Sequence, residues 1–216
     1  MEQENYELQN CESEVKNSLF PNWDLEENDD DNFISGYFKK KKMPYNEDTM
    51  IDCLKNQHNK HELYWAGLAL RQVGTSKSIE YLKNVVTYKN LDVQGVSVMT
   101  IAKLANGTEN EFLGKLLLNK DFRAKWYAAF SFNFKANDKA VPYALEYGLK
   151  TIKSSKNQPE AGGLIVEYLA RFAPENEQSK KIFARINNDF ENLSPREKEV
   201  FTKEFPNIFT PTRADL

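Results

Sequence analysis

The chain has 216 residues, is 40% hydrophobic and 28% charged, and carries a formal net charge of −3 with two cysteines and two histidines. That length holds one domain with a sizeable core or one short stack of repeated units. The cysteine count excludes a disulfide framework, and no run reaches the roughly 18 apolar residues of a membrane span.

No apolar stretch follows a basic segment near Met1, so no secretory signal is read and a reduced cytoplasmic setting is expected. Charge is unevenly spread. Residues 1–32 hold eleven acids and one base, Lys16, for −10, whereas residues 33–216 hold 28 bases and 21 acids, for +7. Leu8, Cys11, Val15 and Leu19 fall on one stripe of an amphipathic helix, followed by Phe20 and Trp23. This predicts an acidic capping helix within residues 1–45, with Glu26–Asp31 as an acidic loop. A solvated cap is the ordinary reading of such a charge run. The same segment would also suit a basic partner by mimicking nucleic acid, or shield a basic groove of its own protein.

Asp24, Glu26, Asn28 and Asp30 alternate like the opening of a calcium loop. The central glycine is missing and Ser35 stands where the bidentate glutamate belongs, so no calcium site is expected. Lys39–Lys42 follows Phe33, Ile34, Tyr37 and Phe38. Lysines beside aromatics offer contacts to phosphates or acidic lipid, though four lysines in a loop are ordinarily just solvated. Cys53, His58 and His61 give a C-x4-H-x2-H spacing without a fourth ligand. A polar turn between helices is expected there rather than structural zinc.

From about residue 63 the sequence repeats itself. Leu63–Leu82, Asn90–Leu113 and Asp121–Tyr147 each read as a helix, a short polar turn and a second helix. Aligned on the apolar residue that closes the first helix, Val73, Leu104, Phe134 and Phe172 share a column, with gaps of 31, 30 and 38. Four residues earlier stand Ala69, Thr100, Phe130 and Tyr168. Three residues earlier stand Leu70, Ile101, Ser131 and Leu169. Eight residues earlier stand Trp65, Val96, Trp126 and Leu164. The turns Gly74-Thr75-Ser76, Asn106-Gly107-Thr108, Ala136-Asn137-Asp138 and Ala173-Pro174-Glu175 follow the column. Gly and Asn there predict left-handed helix ends, and Thr108-x-x-Glu111 predicts a capping box. Gly162-Gly163 falls in the first turn of a predicted helix, where close packing is expected rather than phosphate binding. Ser194-Pro195-Arg196-Glu197 predicts a strong helix start, with that helix ending before Pro206 and a loose tail over Thr210–Leu216.

Hairpins at a fixed period bury their apolar faces against their neighbours, so an all-α stack is expected. Tyr64-Trp65-Ala66-Gly67-Leu68-Ala69-Leu70-Arg71-Gln72-Val73-Gly74 resembles the helix-then-glycine core of short HEAT-like repeats found in many bacterial proteins. The likeness covers about Asn46–Asp189 and is looser in the second and third copies. It implies an α-α superhelix of about four to five hairpins. The domains would be an acidic cap over 1–45, repeats over 46–190 and a capping helix with tail over 191–216.

No serine, cysteine or histidine stands in a legible nucleophilic arrangement, and no glycine-rich phosphate loop occurs. The resemblance includes some DNA glycosylases, in which tryptophans and a carboxylate face a basic groove. Trp65 and Trp126 share a column here, but no carboxylate matches, and packing is the ordinary use of such aromatics. A non-catalytic protein-binding module without cofactor or metal is therefore expected. It would be an immunity or antitoxin-type inhibitor of a bacterial toxin, or an adaptor; the alternative is a nucleic-acid-binding HEAT-like protein. Stacked hairpins bind along their second helices. That ridge mixes Lys77, Glu80, Lys83, Thr87, Glu109, Glu111, Lys115, Lys139 and Glu146 with Tyr81, Tyr88, Tyr143 and Tyr147. Lys77, Tyr81, Lys83, Tyr88, Lys115, Lys139, Tyr143 and Tyr147 are the expected contact residues, since tyrosine is enriched at interfaces and mixed charge favours a protein partner.

Overall fold

The computed structural model describes residues 31–56 and 59–209. Among these, the chain forms eleven α-helices and no strand. They are α1 (Asp31–Lys40), α2 (Glu47–Asn56), α3 (Lys60–Val73), α4 (Ile79–Val85), α5 (Leu91–Ala105), α6 (Asn110–Leu116), α7 (Lys125–Phe134), α8 (Val141–Thr151), α9 (Gly162–Phe172), α10 (Glu177–Asn187) and α11 (Pro195–Glu204). Short 3-10 turns lie at Ser76–Ser78, Asp138–Ala140 and Phe190–Asn192. The described residues fall into two compact units, 31–143 and 144–209, divided within α8. The all-α expectation holds. The stripe at Leu8–Leu19, the acidic run at 24–30, His58 and the tail from Thr210 lie outside the described residues.

The repeat columns fall where helical spacing puts them. Val73, Phe134 and Phe172 are the last residues of α3, α7 and α9, and Leu104 is next to last in α5. Every residue in the columns three and four positions earlier is buried, from Ala69 and Leu70 to Tyr168 and Leu169. Polar caps start the helices. Asn59 accepts from the His61 N–H before α3, Asn90 from Val93 before α5, and Asn176 from Gln178 before α10. Each satisfies a donor that the first turn leaves orphaned. Ser194 and Glu197 form the expected capping box of α11, with Pro195 at its first position.

Two local expectations are corrected. Gly74 is extended rather than left-handed, at φ −81° and ψ 158°. A side chain is excluded there because a Cβ would lie 2.4 Å from the Leu70 carbonyl oxygen. Thr108 and Glu111 do not form a capping box, since α6 begins from Glu109 with no side-chain cap. Asn106 and Gly107 are both left-handed, at φ 46° and 84°. This tight turn leaves the Thr108 hydroxyl donating back to the Ala105 carbonyl at 2.7 Å, and Glu111 turns to Lys115 at 2.7 Å.

The unit 31–143 is built around α5. Every residue from Val93 to Ala102 is buried, as befits a helix covered on all sides. It packs against α3, α4 and α7, while α3 also meets α1 and α2. Glycines set these distances. A Cβ on Gly67 would meet Val96 at 2.9 Å, and one on Gly95 would meet Tyr127 at 3.0 Å. The helix α1 was not anticipated. Its Ile34 and Phe38 are buried, so aromatics read as the flank of a lysine loop instead cover α3, and Lys39 and Lys40 end a helix.

Buried polar side chains tie neighbouring copies together. Gln94 is 1% exposed. Its amide donates to the carbonyls of Tyr88 at 3.0 Å and Asp121 at 3.1 Å. Its oxygen accepts from the Arg123 N–H at 2.8 Å and the Ala124 N–H at 3.1 Å. Thr100 donates to the Gly67 carbonyl at 2.9 Å. Asn110 donates to the carbonyls of Phe132 and Lys135 at 3.0 and 2.8 Å. The half-buried Glu47 makes a similar tie nearer the surface, accepting from Thr75 and Ser78 in the turn after α3.

In the unit 144–209, Gly148 admits Ile182, whose Cδ1 would lie 2.8 Å from a Cβ. Arg185 donates to the carbonyls of Leu149 and Ile152 at the end of α8. The wholly buried Glu167 pairs with Arg171 at 2.9 Å, and Arg171 lies over the Phe205 ring at 5.4 Å. Phe209 stacks on Phe201 at 4.6 Å and closes this unit.

Replacing Gln94 with methionine keeps the volume but strands the Arg123 and Ala124 N–H groups and the Asp121 carbonyl, while the Tyr88 carbonyl keeps the Asn90 N–H at 2.7 Å. Chemical denaturation is expected to give a loss of about 2–4 kcal/mol. A change under about 0.5 kcal/mol, the usual scatter of surface substitutions, would contradict the tie.

Candidate interaction surface

The second-helix ridge of the unit 31–143 carries a repeated device. Lys55 on α2 lies over the Tyr81 ring on α4 at 5.2 Å, Lys83 on α4 over Phe112 on α6 at 5.2 Å, and Lys115 on α6 over Tyr143 on α8 at 5.8 Å. Each cation reaches forward to the aromatic of the next second helix, where the negative ring face attracts it. Tyr81, Phe112 and Tyr143 are spaced by 31 residues.

Each of these cations also has an acid. Lys55 pairs with Asp52 at 3.0 Å. Lys83 pairs with Glu80 at 2.8 Å and Glu109 at 3.0 Å. Lys115 pairs with Glu111 at 2.7 Å, and the Tyr143 hydroxyl donates to Glu111 at 3.3 Å. Lys77, in the turn before α4, pairs with Asp48 at 2.6 Å. Burial opposes the Lys83 charge, but its hydrogen bonds to Glu80 and Glu109 outweigh that and raise its pKa. The hydrogen bond from Lys115 holds the Glu111 carboxyl below its usual range.

The predicted contact residues therefore divide. Lys77, Lys83, Lys115, Tyr81 and Tyr143 are on the ridge, joined by contacts within the chain. Lys139 is exposed in the turn before α8 and makes no ion pair among the described residues. Tyr88 is half-buried in the turn after α4, and its carbonyl is held by Gln94. Tyr147 is corrected. It is 7% exposed, because its face of α8 turns inward, and burial pushes its phenol pKa up. The sequence reading missed Lys55 and Phe112, although Phe112 recurs in register with the two tyrosines.

Lys125 was also missed. It opens α7 and donates to the carbonyls of Leu116, at 2.7 Å, and Asn119, just past the end of α6. No carboxylate pairs with it among the described residues, and desolvation lowers its pKa to about 8. Trp65 stacks on Tyr37 at 4.6 Å and Trp126 on Phe130 at 5.4 Å, so both are half-buried in packing. Cys53 is buried, and no three His, Cys, Asp or Glu side chains converge on a metal-sized site among the described residues. No described helix is long and apolar enough to cross a membrane. No family model, curated protein or solved structure matches the chain.

The Lys125 pKa is lowered on folding, so between about pH 8 and 10 the unfolded chain binds more protons. Stability contributed at this site is expected to rise with pH across that window. Denaturation curves of wild type and Lys125→Met check it. The variant should lack the rise, and equal slopes would refute it.

Proposed function

We propose that the chain is a non-catalytic protein-binding module, a HEAT-like superhelix that meets its partner along the second-helix ridge of the unit 31–143. The carrying observation is the neutralised ridge. Lys55, Lys77, Lys83 and Lys115 are each bonded to a carboxylate of the same chain. A phosphate backbone is bound by cations that release its counterions. Cations already paired with acids suit it poorly, whereas alternating charge and half-buried tyrosines suit a protein surface. Within this class an immunity or antitoxin-type inhibitor of a bacterial toxin and an adaptor are the two forms favoured.

The test is affinity capture with the full chain, followed by titration of the captured protein. Lys139→Glu and Lys77→Glu on the ridge are expected to weaken binding about tenfold each, roughly 1.4 kcal/mol. Lys181→Glu on α10 should leave it unchanged. Equal affinity for all three variants would remove the ridge from the reading.

One observation favours a nucleic-acid reading. Lys60, Lys89, Lys120 and Arg123 are exposed near the starts of α3, α5 and α7 and make no ion pair among the described residues. Binding through them predicts retention on a phosphate-bearing column that falls steeply with salt. Passage without retention at low salt excludes it.

A further inference from the structure

The starts of α3, α5 and α7 lie along one edge of the unit 31–143, because neighbouring first helices run side by side in register. At their ends, a Cβ on Gly74 after α3 would meet Leu104 of α5 at 3.2 Å. Midway, Thr100 of α5 donates to the Gly67 carbonyl of α3. At their starts, Gln94 in the first turn of α5 bonds the Tyr88 and Asp121 carbonyls and the Arg123 and Ala124 N–H groups. That one side chain clamps the turns entering α5 and α7 against each other.

Each copy brings a cation to this edge. Lys60 opens α3, Lys89 stands just before α5, and Lys120 and Arg123 stand before α7. All four are exposed and make no ion pair among the described residues. Lys60, Lys89 and Lys120 are spaced by 29 and 31 residues, the period of the repeat. A cation at a helix start opposes the positive end of the helix dipole. No ion pair described in the chain offsets that cost, yet it recurs in three successive copies. A local rule broken without an internal return marks a functional surface.

The spacing selects the shape of the occupant. Packed helix axes stand about 8–10 Å apart, so the edge presents its charges at about that interval. A chain in the polyproline II conformation advances about 9 Å in three residues and returns every third side chain to the same face. A nucleic-acid backbone fits less well. Asp92 and Asp121 are exposed among the cations, and acids there repel phosphate. The bases of a single strand need exposed aromatics to stack on, whereas Phe122 is wholly buried. Leu91, at the start of α5, is 47% exposed and gives an apolar contact that phosphate cannot use.

We propose that this edge binds an extended acidic segment of a protein partner, with a carboxylate at every third residue and an apolar side chain against Leu91. This rests on the protein-binding reading but places the contact on the first-helix starts rather than the ridge. The track is small against a standard interface, so the segment binds weakly and exchanges quickly.

Fluorescence anisotropy of the full chain with a labelled peptide of about twelve residues, glutamate at every third position with leucine and proline between, tests this. The peptide should bind, and binding should weaken as salt rises. The same residues with the glutamates in one block should bind about fivefold more weakly, since clustered acids cannot reach three copies at once. Lys60→Glu/Lys89→Glu and Lys120→Glu/Arg123→Glu put acids where the helix dipole favours them, so the fold is kept. Each pair should raise the dissociation constant about tenfold or more, as a like-charge contact replaces an attractive one. Lys77→Glu and Lys139→Glu, which test the ridge, should leave peptide affinity unchanged, so the two readings can fail separately. No binding at about 1 mM peptide would overturn the proposal. So would equal binding of the clustered peptide, an affinity unmoved by the edge variants, or an oligothymidylate of the same length that binds as tightly.

Discussion

Two short helices joined by a turn expose more apolar surface than they can cover for each other. In the unit 31–143 this constraint is met by α5, which is covered by α3, α4 and α7 and is buried from Val93 to Ala102. A helix so enclosed cannot carry unpaired polar groups. Gln94, Ser97 and Thr100 are therefore all bonded to backbone carbonyls or N–H groups. The enclosure also needs close axes, which Gly67 and Gly95 permit. Apolar burial supplies the attraction, and the satisfied polar side chains fix which copy sits against which.

The surface follows from the same arrangement. Second helices of successive copies lie near one another, so a lysine on one reaches an aromatic ring on the next, and this occurs three times in register. The paired acids keep the ridge close to neutral although residues 33–216 carry an excess of bases. The excess lies elsewhere, in part at the exposed Lys60, Lys89, Lys120 and Arg123. Net charge is thus a poor guide to this surface, because what a partner meets is the local balance left after internal pairing.

Periodicity carried the helices, their order and the buried columns, since apolar spacing is itself the cause of burial. Column alignment also placed α3, α5, α7 and α9 to within a residue at their ends. It did not find α1, because Phe33, Ile34, Tyr37 and Phe38 read equally well as aromatics flanking a lysine run. The left-handed turn was legible at Asn106 but not at Gly74, where the glycine answers a close carbonyl rather than a positive φ. The ties made by Gln94, Asn110 and Glu47 were illegible, since their partners, the Tyr88 carbonyl apart, lie 22 to 31 residues away and are mostly backbone atoms. Of the contact residues, Tyr147 failed because its position on a second helix was read without the face it presents.

If enclosure of α5 holds the unit 31–143 together, its amides should open only when the unit opens. Native-state hydrogen exchange, resolved by residue, tests this directly. Residues 93–105 should exchange slowest and at the free energy of global unfolding, with α3 and α7 at or just below it and the ends of α1 and α4 well below. If α5 exchanged by local opening while α3 and α7 stayed protected, the enclosed helix would not be what the fold rests on.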